Sequence, residues 1–292
     1  MSASLEKHAP AKINLLLNVL GRRQDGFHEV ETILHPIPVF DTLTLERGGT
    51  GIRFTCNDTR LKNDSSNLVV RAAIAFFDAA KITPCVSIHL EKRIPLAAGL
   101  GGGSSDAAAT LLGLNELFET PLTRAELERL AAGLGADVTF FLYGAPAVAT
   151  GRGEQIRPVG QFDCLKGMHL FVVYPGFGVS TAWAYHQLAR FPHALRGVPG
   201  RAQKLVELLH AAELRRASAE FYNALETPVF HKYPVLALYK EFLIATGAVA
   251  ALMSGSGSSV FAIFDSAEHV KSAEAQFTQK FGSAGWTAVL QL

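Results

Sequence analysis

The densest chemistry in the chain lies between Lys92 and Asp106, which read Lys-Arg-Ile-Pro-Leu-Ala-Ala-Gly-Leu-Gly-Gly-Gly-Ser-Ser-Asp. Consecutive glycines cost backbone entropy on folding, so folding alone gives little reason for Gly101, Gly102 and Gly103. Their N–H groups, unobstructed by side chains, can close around an anion. The alanine- and leucine-rich stretch that follows reads as a helix, whose N-terminus adds further donors and a favourable dipole. Ser104 and Ser105 offer hydroxyls to a phosphate or to a metal bound to it. Either can also cap the helix, with Asp106 in its first turn. The plain alternative is a flexible turn before a capped helix. The known phosphate motifs do not fit: no Gly-Lys pair occurs, and Ser104 and Asp106 stand where the third glycine of G-x-G-x-x-G would fall. His-Arg-Asp, Asp-Phe-Gly and G-x-S-x-G are absent too.

Few side chains could do chemistry beside such a loop. Lys12 and Asn14 are two apart on an alternating segment, so both project to one face, about 7 Å apart. A lysine on an early, otherwise apolar strand suits a catalytic role, and equally an edge strand exposing its polar face. Asp137, in Gly-Ala-Asp-Val-Thr-Phe-Phe-Leu, is either a general base or the cap of a short helix. A second glycine-serine run, Ser254 to Ser259, is an ordinary loop or a second grip on phosphate. Phe27, His28 and Tyr185 could stack on a planar base, or belong to the core.

The elements that must position these residues follow from periodicity. Ala11 to Leu20 alternates, with Ile13, Leu15, Leu17 and Val19 on one face and Lys12, Asn14, Leu16 and Asn18 on the other, which predicts a strand with one buried face. Phe27–Ile37, Asp41–Glu46 and Val86–Glu91 also read as strands. Asn67–Ala80 reads as a helix, and Thr123-Arg-Ala-Glu126 as a capping box opening another that Gly133 or Gly135 ends. Ala147–Val159 predicts two short strands, and Met168–Tyr174 a buried one. Thr181–Ala189, Lys204–Leu209 and Tyr233–Thr246 read as helices. Val260–Phe264 and Trp286–Leu292 are strands flanking a helix at Glu268–Phe281. Arg190–Arg201, basic and broken by prolines and glycines, predicts a mobile loop. Without a strict βαβ beat the class is α+β, and a soft boundary near Val159 gives domains of residues 1–159 and 160–292.

Composition narrows the function. A chain of 292 residues with 49% apolar and 18% charged residues is globular. The formal net charge of +1 gives no general electrostatic reason to expect nucleic acid or an anionic membrane. Three scattered cysteines, Cys56, Cys85 and Cys164, argue against a disulfide framework or zinc site. Met1–Pro10 lacks the apolar core of a signal peptide. The uncharged run Leu243–Phe264 is interrupted by Ser254–Ser259, poor chemistry for a membrane span. The expectation is a soluble, cytoplasmic protein with no evident obligate protein partner.

Together the segments resemble the small-molecule kinase superfamily of galactokinase, homoserine kinase, mevalonate kinase and phosphomevalonate kinase. Its second signature resembles Pro95–Ser105 and its third Met253–Val260. Pro10–Leu15, Arg23–Glu29, Asn67–Arg71 and Gly135–Val138 are similar to the branch whose substrate is an alcohol carrying a cytidine diphosphate group, on the non-mevalonate route to isoprenoid precursors. The resemblance weakens between Arg190 and Tyr233. It implies ATP as co-substrate with Mg2+, whose protein ligands it leaves unknown beyond the Ser104 and Ser105 hydroxyls. It also implies Lys12 and Asp137 as the catalytic pair. The ATP-phosphate loop would be Pro95, Leu96, Ala97, Ala98, Gly99, Leu100, Gly101, Gly102, Gly103, Ser104 and Ser105, with Asn67 bordering the adenine. Asn14 and His28 would contact substrate, His28 reading the cytosine, with Phe27 and Tyr185 sandwiching that base. Two departures stand out: Phe27 replaces the usual tyrosine, and Thr139 the proline common after Gly-Ala-Asp-Val. The implied fold has an α+β N-terminal domain with a left-handed β-α-β crossover and a ferredoxin-like C-terminal domain.

Overall fold

The computed structural model describes residues 4–195, 197–283 and 285–292; Met1–Ala3 of the N-terminal segment and Arg196 of the basic stretch lie outside the described residues. The chain forms β1 (Ser4–Arg22), β2 (His28–Arg47), β3 (Gly51–Cys56), α1 (Leu68–Ala80), β4 (Cys85–Glu91), α2 (Gly102–Leu117), α3 (Arg124–Leu134), α4 (Ala136–Tyr143), β5 (Ala147–Thr150) and β6 (Gln155–Pro158). It continues with β7 (His169–Tyr174), α5 (Thr181–Gln187), α6 (Arg201–His210), α7 (Leu214–Glu220), β8 (Tyr222–Asn223), α8 (Glu226–Lys232), α9 (Pro234–Ala245), β9 (Ala250–Met253), β10 (Val260–Phe264), α10 (Ala267–Phe281) and β11 (Trp286–Gln291).

These elements gather into two compact units that are discontinuous in sequence. The first takes the chain up to Ala11, Val39–Ile94 and Gly101–Gly144; the second takes Lys12–Pro38, Pro95–Leu100 and Ala145–Leu292. This division differs from a sequential cut near Val159. The phosphate-loop candidate Pro95–Ser105 contributes its first six residues to the second unit and its last five to the first.

In the first unit, β3 and β4 run parallel, joined through α1, with Phe54 opposite Ile88. β4 pairs antiparallel with the later half of β2, Leu43 opposite Leu90. Helix α2 packs against α1, α3 and α4. Its alanines Ala107, Ala108 and Ala109 are buried along with Leu111 and Leu114, the signature of a helix enclosed on most sides. The capping box forms as expected: Thr123 accepts from the Glu126 backbone, and Glu126 accepts from that of Thr123.

In the second unit, a four-stranded antiparallel sheet has the order β11-β7-β10-β9. Numbered within this sheet the order is 4-1-3-2, and with helices between its first and second strands and after its third it has the expected ferredoxin-like arrangement. β7 and β10 are central and almost wholly buried. They read as apolar runs rather than alternating ones because Phe171 and Phe264 share a core with Leu236, Tyr239, Leu243 and Phe277 of α9 and α10. Near this sheet in sequence but separate from it, β5 pairs with β2, Thr32 opposite Ala149, and with β6. β8 runs parallel to β1, with Leu16 opposite Tyr222 and Leu17 opposite Asn223.

Two expectations are corrected. β1 does not have one wet face: Lys12 and Asn14 are 3% exposed and Asn18 is fully buried, so its polar residues are enclosed with partners rather than solvated. The Arg190–Arg201 stretch is not a free loop over its described residues. Short 3₁₀ turns occupy Leu188–Arg190 and Pro192–Leu195, and α6 begins at Arg201. Gly197 N–H donates to Val19 O at 2.9 Å, Gly200 N–H to Glu31 Oε1 at 2.8 Å, and Asn18 Nδ2 to Val198 O at 2.9 Å. These bonds fasten the segment to β1 and β2.

Candidate active site

Lys12 is the buried cation among the candidate residues of the second unit. Its Nζ donates to Asn14 Oδ1 at 2.6 Å and to Gly99 O at 3.0 Å. Asn14 is fixed in turn, its Nδ2 donating to Thr32 Oγ1 at 2.8 Å, while that hydroxyl donates to Leu16 O at 2.6 Å. An ammonium buried to this degree needs such acceptors, because an uncompensated charge costs several kcal/mol or more in the interior. Both polar ends of the Asn14 amide are occupied in this arrangement, which makes it a bracket for Lys12.

The first half of the glycine loop is held against this lysine. Lys12 N–H donates to Leu100 O at 2.9 Å, and Ser259 N–H to Ala98 O at 3.0 Å. Ser254 Oγ donates to Gly99 O at 2.9 Å. The approach leaves no room for a side chain: a Cβ on Gly99, at φ +79°, would meet Ser254 O at 2.2 Å. The Ser254–Ser259 run is therefore a structural partner of the loop.

The same run reaches the aromatic residues. Thr181 Oγ1 shares a hydrogen bond of 2.8 Å with Ser256 Oγ, and Ser180 caps α5, which carries Tyr185. The Tyr185 ring lies 5.1 Å from that of His28, tilted by 30°. Burial, with Arg22 nearby, holds the His28 imidazole below its ordinary pKa, so the ring is neutral at neutral pH and offers one donor and one acceptor. Phe27 is 54% exposed, with the Arg152 guanidinium 4.9 Å above its ring. That ring presents an open face without the hydroxyl a tyrosine would carry.

The remaining site residues lie in the first unit. Helix α2 begins with Gly102 and Gly103, capped by Gly101 in the left-handed conformation, so neither serine is the cap and Asp106 lies beyond the first turn. The first backbone N–H groups of the helix are left without intrahelical acceptors, the donor set an anion requires. Ser105 Oγ is buried and has no hydrogen-bond partner among the described residues. Asn67 caps α1, accepting from Val69 N–H at 2.9 Å and donating to Lys62 O at 3.1 Å. A Cβ on Gly103 would lie 3.7 Å from Leu68, so the starts of α1 and α2 adjoin. Asp137 is half-buried in the first turn of α4, a helix packed on α2. The cap there is Gly135, so Asp137 is the second helical residue rather than the cap, and Thr139 continues the helix where a proline was expected.

Sequence reasoning missed a buried charge cluster at the ends of the loop. Lys92 Nζ donates to Asp106 Oδ2 at 2.8 Å and also to Asp41 Oδ2. Asp41 Oδ1 accepts from the backbone of Arg93 and Ile94 at 2.6 and 2.9 Å. Burial, with the neighbouring Asp41 charge, pushes the Asp106 carboxyl up to about 7 despite Lys92. Burial opposes charge on Lys92 as well, but Asp106 and Asp41 outweigh it and hold the ammonium above its ordinary range. A carboxyl with a raised folded-state pKa stabilises most below its unfolded value near 4 and loses that contribution as pH climbs through about 7. Lys92→Met leaves two buried carboxyls facing each other and is expected to cost about 3–5 kcal/mol at pH 8. The loss should be smaller at pH 5, where Asp106 can take up a proton. Urea unfolding of both proteins at the two pH values measures this; an equal loss at both would contradict it.

Comparison with known proteins places this arrangement in a class. The GHMP kinases N terminal domain matches residues 67–145, and the GHMP kinases C terminal domain residues 202–284. The fold is shared with a homoserine kinase from Cytophaga hutchinsonii, at TM-score 0.74 and 19% identity over 99% of this chain and 95% of that one. More specific is the likeness to a 4-diphosphocytidyl-2-C-methyl-D-erythritol kinase from Syntrophotalea carbinolica, 40% identical over 96% of this chain and 95% of the relative. The enzyme of that name from Geobacter metallireducens is 38% identical over 98% and 97%. A crystal structure of 4-(cytidine 5'-diphospho)-2C-methyl-D-erythritol kinase superposes with TM-score 0.80 and 36% identity, covering 99% of this chain and all of that one. The chain belongs to the 4-diphosphocytidyl-2-C-methyl-D-erythritol kinase family of the GHMP kinases.

Proposed function

We propose that the protein transfers the γ-phosphoryl group of ATP to the 2-hydroxyl of 4-diphosphocytidyl-2-C-methyl-D-erythritol, yielding the 2-phosphate and ADP. The observation that carries this reading is the buried Lys12 ammonium, bracketed by Asn14 and seated on the Gly99 carbonyl of the glycine loop. In it, the N–H groups at the start of α2 receive ATP phosphate oxygens, and Asn67 borders the adenine. Asp137 accepts the proton of the attacking hydroxyl, and Lys12 offsets charge gathering on the transferred group. His28 presents its donor and acceptor to the cytosine edge, while Phe27 and Tyr185 cover its faces.

Magnesium fits the residues present in one way. Among the described residues no three His, Cys, Asp or Glu side chains gather into a metal cage. Mg2+ is instead suited to phosphate oxygens and water, with the Ser104 hydroxyl and the buried Ser105 hydroxyl, partnerless among the described residues, as candidate protein oxygens. When bound it would neutralise phosphate charge during transfer. Among the described residues no helix is long and apolar enough to cross a membrane, and three free cysteines suit the reducing cytoplasm we assign to it.

A coupled ADP-release assay over a panel of alcohols tests the substrate. The cytidine-diphosphate alcohol should exceed homoserine and mevalonate in kcat/KM by about four powers of ten, the scale for a site that hydrogen-bonds a group its competitors lack. Activity confined to a small alcohol without the nucleotide would overturn the assignment.

A further inference from the structure

We infer that Asn223 is a positioning residue for Lys12, acting through the Met253–Gly255 turn; the inference rests on the proposed catalytic role of Lys12. Asn223 is 1% exposed. Its Nδ2 donates to Met253 O at 2.7 Å and to Gly255 O at 2.8 Å, and its Oδ1 accepts from Leu225 N–H at 2.9 Å. All its hydrogen-bonding capacity but one lone pair is thereby used, and both donors go to one turn.

That turn is the wall against which Lys12 rests. A Cβ on Gly255 would lie 3.0 Å from Lys12 Nζ and 3.1 Å from Gly99 O. Ser254, between the two carbonyls Asn223 grips, donates to Gly99 O, the oxygen that Lys12 also uses. Asn223 is fastened to the lysine's own strand as well: β8 runs parallel to β1, and Ala224 N–H donates to Leu17 O at 2.9 Å. Glu226, three residues on, closes the other side by accepting from Met253 N–H at 2.9 Å while its second oxygen takes Lys240 Nζ at 2.6 Å. One short segment therefore holds both the strand that carries the ammonium and the turn that limits where the ammonium can go. Displacing a charge-stabilising group by about 1 Å costs on the order of a hundredfold in rate.

The test uses Asn223→Asp and Asn223→Ala. Both remove the two donors; the first keeps an acceptor for Leu225, and Asn223→Ser serves if neither folds. Leu236→Ala, a core truncation in α9, is the control for general loosening of the same unit. Assayed at equal distances below their melting temperatures, the Asn223 variants should lose about 10- to 100-fold in kcat with KM for ATP changed little, and Leu236→Ala should not. Acetic anhydride labelling read by mass spectrometry supplies a readout independent of turnover: Lys12 should become reactive in the Asn223 variants, while buried Lys92 stays protected. Retained kcat with Lys12 still protected in those variants overturns the inference, and so does equal Lys12 exposure in Leu236→Ala. If Lys12 proves dispensable for turnover, the functional reading fails while the labelling still tests the positioning.

Discussion

Asp137→Asn is expected to lower turnover by about two to four powers of ten, the contribution of a positioned general base, while ATP binding stays nearly intact. The asparagine keeps the shape of the side chain while removing its negative charge and its ability to take a proton. Local structure should survive, because α4 is capped by Gly135 and its apolar residues Val138, Phe140, Phe141 and Leu142 are buried. The carboxylate sits in the first turn of α4 and is half-buried. Single-turnover phosphoryl transfer alongside nucleotide-binding titration separates the two effects. Turnover equal to that of the unaltered enzyme would remove the proton-acceptor role.

Lys12→Met should cost about two to three powers of ten in kcat, the scale for losing one preorganised charge-stabilising donor. Methionine fills similar volume in the enclosed space between Asn14, Gly99 and Gly255, so the variant reports charge rather than packing. Arginine is not a rescue, since the space beside the lysine head is so narrow that a Cβ added at Gly255 would already lie 3.0 Å from Nζ. In the proposed role the ammonium acts on charge that develops during transfer, so KM for the alcohol should change far less than kcat. Equal losses in substrate binding and no loss in kcat would make Lys12 a ground-state contact instead.

The sequence carried the glycine loop, the second glycine-serine segment and the mixed α+β class because each has a local signature. Gly99 and Gly101 are legible since the backbone itself needs their left-handed conformation. The two central strands of the ferredoxin-like sheet announce themselves as apolar runs. What escaped is long-range. The burial of Lys12 and Asn14 on β1 depends on Thr32 and Gly99, and no spacing along one strand reports them. The Asp41–Lys92–Asp106 cluster joins residues up to 65 positions apart. Asn223 sits in a two-residue strand too short to alternate, and its partners lie about 30 residues further on. The Arg190–Arg201 stretch looked free because its prolines and glycines break periodicity, whereas its anchors, Asn18 and Glu31, are on distant strands.

The most direct measurement is a crystal structure with a non-hydrolysable ATP analogue and the cytidine-diphosphate alcohol bound together. The γ-phosphate should lie within hydrogen-bond reach of Lys12 Nζ, and the 2-hydroxyl within about 2.6–3.2 Å of an Asp137 carboxylate oxygen, with the triphosphate at the start of α2. A triphosphate bound elsewhere, or an acceptor hydroxyl that Asp137 cannot reach, would contradict the account.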